Sequence, residues 1–248
     1  MIESKQKGLS PEAVVEFSDI GREPAQEDFY RFSNKRNIFV LSDGFGGPRS
    51  GAEAAKLSCD AVMEFLEVEA GDRDATMPFV LKEYYSLAGN ILFNAILHAN
   101  EALNRSNEGR NIHERGGASI VSAYLAHGTL AIANVGACEA YLFREGLQPL
   151  VLPKSLNRMR GGQSPLNAPL MALGLGHFVE PEIQEYEVRL GDAIVLASDG
   201  AVSEVLNRLP AALPIRAGES SEERAYRCEK MLREGQYQDN ASVIIALF

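Results

Sequence analysis

Cysteines, histidines and long apolar runs are all scarce in this sequence, and each scarcity excludes a class of protein. The three cysteines, Cys59, Cys138 and Cys228, lie far apart and form no CxxC pair, which argues against a zinc knuckle or a redox dithiol. An odd number of cysteines without a disulfide framework favours a reducing compartment. No apolar run approaches the ~18 residues of a membrane span, and the first residues lack the apolar core of a signal peptide. We therefore expect a cytoplasmic protein.

Several common catalytic motifs are also missing. The four histidines show no metal-ligand spacing such as HxxxH, and the sequence contains neither a GxSxG nucleophile elbow nor a P-loop. The glycine-rich segment at residues 44–49 lacks the third glycine of the GxGxxG pattern, so it does not support dinucleotide binding. The chemistry must therefore be sought in other residue types.

Positive charge is in deficit as well. The 248 residues include 24 Lys and Arg against 34 Asp and Glu, a formal net charge of -10. Such a surface repels phosphate backbones and anionic lipid headgroups, so we expect no nucleic-acid or membrane partner. With 46% hydrophobic residues, no repeat and no long linker, the chain is expected to form one domain over residues 1–248, with its core at about 14–248.

The apolar pattern predicts strands and helices in separate blocks. Four segments have helical periodicity, and the longest begins at Pro78, a residue suited to a first helical turn. The strands at 119–125, 130–135 and 140–143 are predicted to form an antiparallel meander. Blocks of this kind favour an α+β fold with antiparallel sheets. The predicted helices cover about 54–66, 78–105, 202–206 and 222–233, and the other strands cover 14–17, 29–32, 38–41, 183–188, 193–197 and 242–248.

One long irregular segment stands out between these blocks. Residues 153–169 contain three prolines and two glycines, together with Arg158 and Arg160. Loops of this length without secondary structure are uncommon in a compact domain and are usually functional. We predict a flap-like loop over about 153–170.

Acidic residues occur where four predicted strands begin or end. Asp43 and Asp199 each follow an apolar strand and precede a glycine, which is expected to turn the backbone with a positive φ. The pairs Glu27-Asp28 and Asp239-Asn240 each lie directly before a strand. If these strand ends converge, their carboxylates would repel one another unless a hard cation such as Mg²⁺ or Mn²⁺ intervenes. For any single Asp-Gly pair, a simple turn is the commoner explanation.

The order of these segments resembles the metal-dependent protein phosphatases, the PPM or type 2C family, in its bacterial single-domain form. The matching segments are Gly21-Arg-Glu-Pro-Ala-Gln-Glu27-Asp28, Asp43-Gly44-Phe45-Gly46-Gly47, Gly117-Ala118-Ser119, Asn134-Val135-Gly136-Ala137-Cys138-Glu139, Ser198-Asp199-Gly200 and Asp239-Asn240. The resemblance extends over residues 14–248. Each segment alone is a weak signal, but their order and spacing are specific.

The resemblance implies an αββα sandwich of two antiparallel sheets with two Mn²⁺ or Mg²⁺ ions at one end. The implied reaction is hydrolysis of phosphoserine and phosphothreonine in proteins by water activated at this binuclear centre, opposing a serine/threonine kinase. Asp43 would bridge both ions, Asp28 would hold ligands or water, and a monomer is expected. The implied metal ligands are Glu27, Asp43, Gly44, Asp199 and Asp239, and the implied catalytic residues are Asp43, Asp28 and Arg22.

The sequence departs from the family pattern at two places. Ala137 replaces an Asp that helps to hold a third metal in many bacterial members, so a third metal site is doubtful. Glu23 stands where the family usually has a phosphate-binding arginine, which leaves the preceding Arg22 as a substitute and Arg49 as a further candidate for substrate binding.

These departures leave alternatives open. All the implied ligands of the binuclear centre are present, so we predict an active serine/threonine phosphatase. The alternative is a catalytically weak or inactive phosphatase-like module that binds phosphoproteins and acts as a regulator. A third possibility is an acidic structural protein whose Asp-Gly pairs are only turns.

Overall fold

A computed structural model describes residues 9–69, 80–126, 128–161 and 168–248, which form ten strands and six α-helices. The strands are β1 Ala13–Asp19, β2 Asp28–Ser33, β3 Ile38–Phe45, β4 Gly117–Ala126, β5 Thr129–Val135, β6 Glu139–Phe143, β7 Leu147–Pro149, β8 Glu182–Glu187, β9 Ala193–Ala197 and β10 Ala241–Leu247. The helices are α1 Pro48–Glu69, α2 Leu87–Asn107, α3 Leu156–Met159, α4 Val202–Asn207, α5 Leu209–Ala212 and α6 Ser221–Arg233.

The strands form two antiparallel five-stranded sheets that pack face to face. One sheet has the order β1-β10-β9-β6-β7 and the other has the order β2-β3-β4-β5-β8. Helices α1 and α2 cover the outer face of the second sheet, while α6 packs against the first. Three apolar layers result, one between the sheets and one under each set of helices. The predicted αββα sandwich is therefore confirmed.

The first four residues of β3, residues 38–41, are all apolar because this strand is buried on both faces. Ile38 and Val40 point into the layer beneath α1 and α2, whereas Phe39 and Leu41 point into the layer between the sheets. Alternate residues of a strand face opposite sides, so a strand buried on both faces has no polar alternation. The apolar run ends where the site begins, at Asp43.

The predicted meander is wrong at its third strand. Strands β4 and β5 pair as expected, but β6 lies in the other sheet, between β9 and β7. The chain leaves β5 through Gly136, whose φ of 98° is a left-handed conformation that favours glycine. Short strands with similar composition do not reveal which sheet each one joins.

The predicted start of the second helix is also wrong. Helix α2 begins at Leu87, with Ser86 as its N-cap, and the side chain of Ser86 accepts a hydrogen bond from the Gly89 amide. The preceding segment folds back instead, because the side chains of Asn90 and Asn94 bind the backbone of Lys82 and Val80. Local side-chain hydrogen bonds thus override the apolar periodicity there. Pro78 lies outside the described residues, as does part of the predicted flap; residues 156–159 form the short helix α3.

The cysteines are distributed one to each apolar layer. Cys59 lies beneath α1 and α2, Cys138 lies between the sheets, and Cys228 lies beneath α4–α6. All three are buried free thiols. Across the described ranges, none of the helices combines the length and apolar character needed to cross a bilayer.

The start of α2 can be tested with a matched pair of leucine substitutions. Leu92→Ala, at a fully buried position, should lower the free energy of unfolding by about 2–5 kcal/mol through lost packing and a residual cavity. Leu81→Ala should change it by less than ~0.5 kcal/mol, because Leu81 is 70% exposed. Urea denaturation measures both. A large loss in Leu81→Ala would contradict the observed start and favour a helix reaching back to Pro78.

Candidate functional site

The two sheets end together at a cleft of about 550 Å³. The structure brings four of the predicted carboxylates to this cleft, together with Gly44: Glu27, Asp43, Asp199 and Asp239. Glu27 precedes β2 and Asp43 lies in β3, both in one sheet, while Asp199 follows β9 and Asp239 precedes β10, in the other sheet. The site is therefore built equally from both sheets.

Asp28 lies beneath the cleft and connects the two sheets. In the β2–β3 pair it is directly opposite Asp43. Its Oδ2 accepts a hydrogen bond of 2.7 Å from the Ser198 hydroxyl, whose oxygen accepts one of 2.9 Å from the Ser242 amide. Asp28 is buried, with 6% exposure. The serines that hold it were not singled out from the sequence, although Ser198 belongs to the Ser-Asp-Gly segment that was.

Asn240 is a second connection that the sequence reasoning missed. Its Oδ1 accepts a hydrogen bond of 2.7 Å from the Glu27 amide, and its Nδ2 donates to the carbonyl oxygens of Ile20 and Ala25, each at 2.9 Å. One side chain thus fixes both the turn before β2 and the backbone of a predicted metal ligand. The Asp-Asn pair before β10 was the available signal, but only its Asp received a role.

Gly44 is required by a close approach of two backbones. A Cβ at this position would lie 2.0 Å from the carbonyl oxygen of Gly51, in the first turns of α1. A Cβ at Gly51 would in turn lie 2.7 Å from the carboxyl carbon of Glu27. The expected positive φ is wrong for Gly44 and for Gly200, because neither belongs to the glycines with a left-handed backbone. Strand β3 continues through Gly44, and the missing side chain makes room for α1.

The clustered carboxylates raise one another's pKa. Burial, followed by the charges of Asp199, Asp28, Asp239 and Glu27, raises the pKa of Asp43 well above its usual value. Burial raises the pKa of Asp28 to about 7, although the hydroxyl groups of Ser198 and Ser242 oppose the shift. The pKa of Glu27 is raised by burial and then by Glu23 and Asp239. Negative charge is therefore costly here unless a cation compensates it.

The donor set fits a hard divalent cation. Glu27 Oε1 and Asp28 Oδ1 are buried and have no hydrogen-bond partner. The described lining of the cleft contains no Lys, Arg or His that could neutralise the carboxylates. Oxygen ligands of this kind suit Mg²⁺ or Mn²⁺. Among the described residues, no three His, Cys, Asp or Glu side chains are already arranged as the ligands of one ion.

The two arginines predicted to bind substrate lie outside the cleft lining. Arg22 occupies an exposed turn, where its amide donates to the Gln238 carbonyl at 3.2 Å, and the lining begins at the next residue, Glu23. The Arg49 side chain is 93% exposed and pairs with Glu53 at 3.1 Å, in a separate depression. Arg22 and Arg49 are thus close in sequence to residues of the cleft without lining it themselves.

Ala137 occupies a buried position close to the site. Its amide donates a hydrogen bond of 3.1 Å to the hydroxyl of Ser119, which lies opposite Asp43 in the β3–β4 pair. The methyl group offers no ligand atom for a cation.

The chain shares 26% identity over 222 residues with the serine/threonine protein phosphatase PstP of Mycobacterium tuberculosis. The match covers 84% of this chain, which spans 40% of the length of the curated relatives it matches. No family model matches the sequence.

The comparison of structures agrees with this similarity. The catalytic domain of PstP in complex with two manganese ions superimposes with a TM-score of 0.73 and 24% identity, over 94% of this chain and 96% of that one. The PPM Ser-Thr phosphatase MsPP from Mycobacterium smegmatis gives a TM-score of 0.70 and 18% identity, over 97% and 100% of the two chains. The chain has the PPM phosphatase fold. The resemblance drawn from its sequence segments is thereby confirmed.

The electrostatic cost of the site leads to a test of stability. Carboxyl groups with raised folded-state pKa values bind more protons in the folded than in the unfolded protein, whose Asp pKa is ~3.9. Stability of the chelator-treated protein should therefore fall as pH rises from about 4 to about 7, the latter being the pKa of Asp28. Asp43→Asn removes one such charge, so at pH 7.5 its Tm should exceed that of the wild type, by about 2–4 °C for each ~1 kcal/mol.

Thermal melts at pH 5 and pH 7.5, with chelator and with Mn²⁺, check this expectation. The difference between the two proteins should narrow at pH 5, and Mn²⁺ should raise the Tm of the wild type more than that of the variant. Glu64→Gln, which removes an exposed carboxylate from α1, is the control and should change neither result. A lower Tm for Asp43→Asn at pH 7.5 would show that the carboxylate stabilises the metal-free fold.

The role of Asn240 gives a separate prediction. Asn240→Ala removes three hydrogen bonds and leaves the Glu27 amide without its acceptor, so Mn²⁺ affinity measured by calorimetry should fall by about 10–100-fold. The free energy of unfolding should fall by about 1–3 kcal/mol. Asn207→Ala, at an exposed asparagine of α4, is the matched control. Unchanged Mn²⁺ affinity in Asn240→Ala would mean that the site does not depend on this side chain.

Proposed function

We propose that this protein is a metal-dependent serine/threonine phosphoprotein phosphatase. The observation that carries the proposal is the convergence of four carboxylates from both sheets in one cleft whose described lining has no basic residue. The similarity to PstP and the fold shared with a manganese-bound phosphatase domain support it. The substrate class is a phosphorylated protein, and the partner reaction is phosphorylation by a serine/threonine kinase.

In this proposal the predicted ligands hold two Mn²⁺ or Mg²⁺ ions. Asp43 would contribute to both metal sites, Glu27 and the Gly44 carbonyl would belong to one of them, and Asp199 and Asp239 would belong to the other. Bound cations of this kind neutralise charge on a phosphate ester and activate water for in-line attack. Two ions are sufficient for this chemistry, and the methyl group of Ala137 makes a third site doubtful.

Hydrogen bonds of Asp28 and Asn240 hold the neighbouring ligand residues in place. The Oδ2 atom of Asp28 accepts a hydrogen bond from the Ser198 hydroxyl. Its Oδ1 atom has no hydrogen-bond partner among the described residues and is available to accept one from water. Asn240 keeps the Glu27 backbone in place, and Asp28 lies directly opposite Asp43 in the sheet. Asp28 and Asn240 are therefore proposed as positioning residues for the ligands and the attacking water.

The proposed substrate contacts are two arginines, Arg22 and Arg49, neither of which stands at the usual position of the family's phosphate-binding arginine. Arg22 directly precedes the lining residue Glu23, and its amide donates a hydrogen bond to the Gln238 carbonyl, so its side chain is proposed to contact the phosphate at the edge of the cleft. Arg49 lies in the first turn of α1, beside the lining residue Gly47. We retain both as proposed substrate-binding residues, with Arg22 as the proposed catalytic arginine.

The domain organisation is proposed from the pairing of the chain's two ends. Strands β1 and β10 pair along their whole length, from Ala13 opposite Leu247 to Asp19 opposite Ala241. This pairing supports one domain over residues 1–248, with the flap-like loop at about 153–170. The three free thiols support a reducing compartment such as the cytoplasm.

Turnover assays test the proposed reaction directly. The wild type should hydrolyse p-nitrophenyl phosphate and a phosphothreonine peptide with Mn²⁺ or Mg²⁺ and lose activity with chelator. Asp43→Asn and Asp239→Asn should each reduce kcat/KM at least ~100-fold, since removing a metal ligand weakens both cation binding and charge stabilisation. Glu64→Gln should retain wild-type activity, because this carboxylate is exposed on α1.

The same assays distinguish the alternatives. Binding of Mn²⁺ and of the phosphopeptide without turnover would overturn the enzyme and favour the phosphoprotein-binding module. Absence of both turnover and Mn²⁺ binding would favour an acidic structural protein whose Asp-Gly pairs are only turns.

A further inference from the structure

The cleft is lined by apolar residues as well as by carboxylates. Six apolar residues contribute to its described lining: Pro24, Ala25, Phe45, Ala168, Pro169 and Leu175. Leu175 is 63% exposed, so its side chain contributes little to the core of the fold. A single exposed leucine is ordinary on a protein surface. An exposed leucine that lines a polar cleft suggests a role in binding.

Leu175 and Phe45 form one continuous surface, which we call the apolar wall. Both side chains converge over Gly117, the first residue of β4. A Cβ at Gly117 would lie 2.5 Å from the Phe45 ring atom Cζ and 3.3 Å from Leu175 Cδ2. The absence of a side chain at Gly117 therefore allows the ring to lie close to the backbone, with the leucine beside it.

Three asparagines of α2 hold the segment that carries Leu175. Asn100 Nδ2 and Asn104 Nδ2 both donate to the Gly176 carbonyl, at 3.0 and 2.8 Å. Asn100 Oδ1 accepts from the Gly174 amide at 2.9 Å, and Asn107 Nδ2 donates to the Gly174 carbonyl at 3.0 Å. Their spacing of four and three residues places them on one face of the helix. The backbone on both sides of Leu175 is thus fixed before any ligand binds.

The surroundings of the wall select against charge in a ligand. Glu23 and the four carboxylates line the same cleft, and the described lining contains no basic residue. An acidic side chain beside the phosphate would be repelled, whereas an apolar one would be removed from water against Phe45 and Leu175. A segment fixed in advance also avoids the entropy cost of ordering the contact on binding.

We infer that the apolar wall is a specificity determinant that contacts an apolar side chain next to the phosphorylated residue of the substrate protein. This inference rests on the proposed phosphatase function. The occupant follows from continuity, because the wall and the carboxylates line one cleft of about 550 Å³. A peptide whose phosphate reaches the carboxylates would therefore place a neighbouring residue against the wall.

The test compares three phosphothreonine peptides that differ only beside the phosphothreonine, where they carry Leu, Ser or Glu. With Mn²⁺, the wild type should show a kcat/KM about 10-fold higher for the Leu peptide than for the Ser peptide, and lowest for the Glu peptide. In Leu175→Ser the Leu/Ser ratio should fall to about 1–2, and Leu175→Met, which conserves volume, should restore most of it. A ratio taken within each protein cancels any general loss of activity.

Phe178→Ser is the matched control. Phe178 lies three residues further along the same segment and is 77% exposed, yet it does not belong to the cleft lining. The Leu/Ser ratio of this variant should equal that of the wild type. An equal loss of the ratio in Phe178→Ser and Leu175→Ser would assign the effect to the segment as a whole and overturn the role of Leu175.

Binding of the same peptides, measured by fluorescence anisotropy, separates this inference from the proposed function. Turnover of all three peptides with equal kcat/KM and equal Kd would overturn the inference and leave the phosphatase intact. Preferential binding of the Leu peptide without turnover would support the apolar wall and overturn the enzyme. Self-association of the wild type that Leu175→Ser abolishes would show that a second copy covers the wall, which would also overturn the inference.

Discussion

Hydrogen bonds that connect the two sheets at one end are the constraint on which the site depends. Asn240, at the start of β10, binds the Glu27 amide in front of β2, and Ser198, at the end of β9, binds the buried carboxylate of Asp28. These bonds join residues 213 and 170 positions apart in the sequence. They add directional contacts to the apolar packing between the sheets, which is non-directional and specifies position less sharply. The carboxylates converge because these polar contacts fix the strand ends.

Convergence has an electrostatic cost that the fold alone does not offset. Burial and mutual repulsion raise the pKa of Asp43, and no basic side chain lies in the described lining of the cleft. The surrounding structure is nevertheless rigid enough to hold the charges together. Gly44 and Gly51 let α1 press against β3 and Glu27, and the sandwich supplies three apolar layers around this end. A site of this kind trades stability of the metal-free protein for affinity toward cations, as functional sites commonly do.

The cleft also differs in chemistry from one side to the other. Its carboxylate side suits cations and, through them, a phosphate group. Its apolar wall of Phe45 and Leu175 suits the side chain beside that phosphate. Glu23 adds negative charge where an arginine was expected from the family pattern, so recognition in the proposed enzyme depends on cations and apolar contact more than on direct ion pairs. The asparagines of α2 hold the backbone on both sides of Leu175, so in the proposed enzyme this helix would contribute to substrate choice.

Properties that depend on local pattern and chemical type could be predicted from the amino-acid sequence. Short apolar segments between turn residues predicted the strands, and acidic residues at strand ends pointed to the candidate ligands Glu27, Asp43, Asp199 and Asp239. The sheet that β6 joins, the first residue of α2 and the direction of the Arg49 side chain became known only from the folded protein. The roles proposed for Asn240 and Leu175 also rest on it, because they depend on contacts between distant segments. The chemical type of a side chain is known from the sequence. Its contacts depend on how distant parts of the chain pack together, and this packing is not a local property.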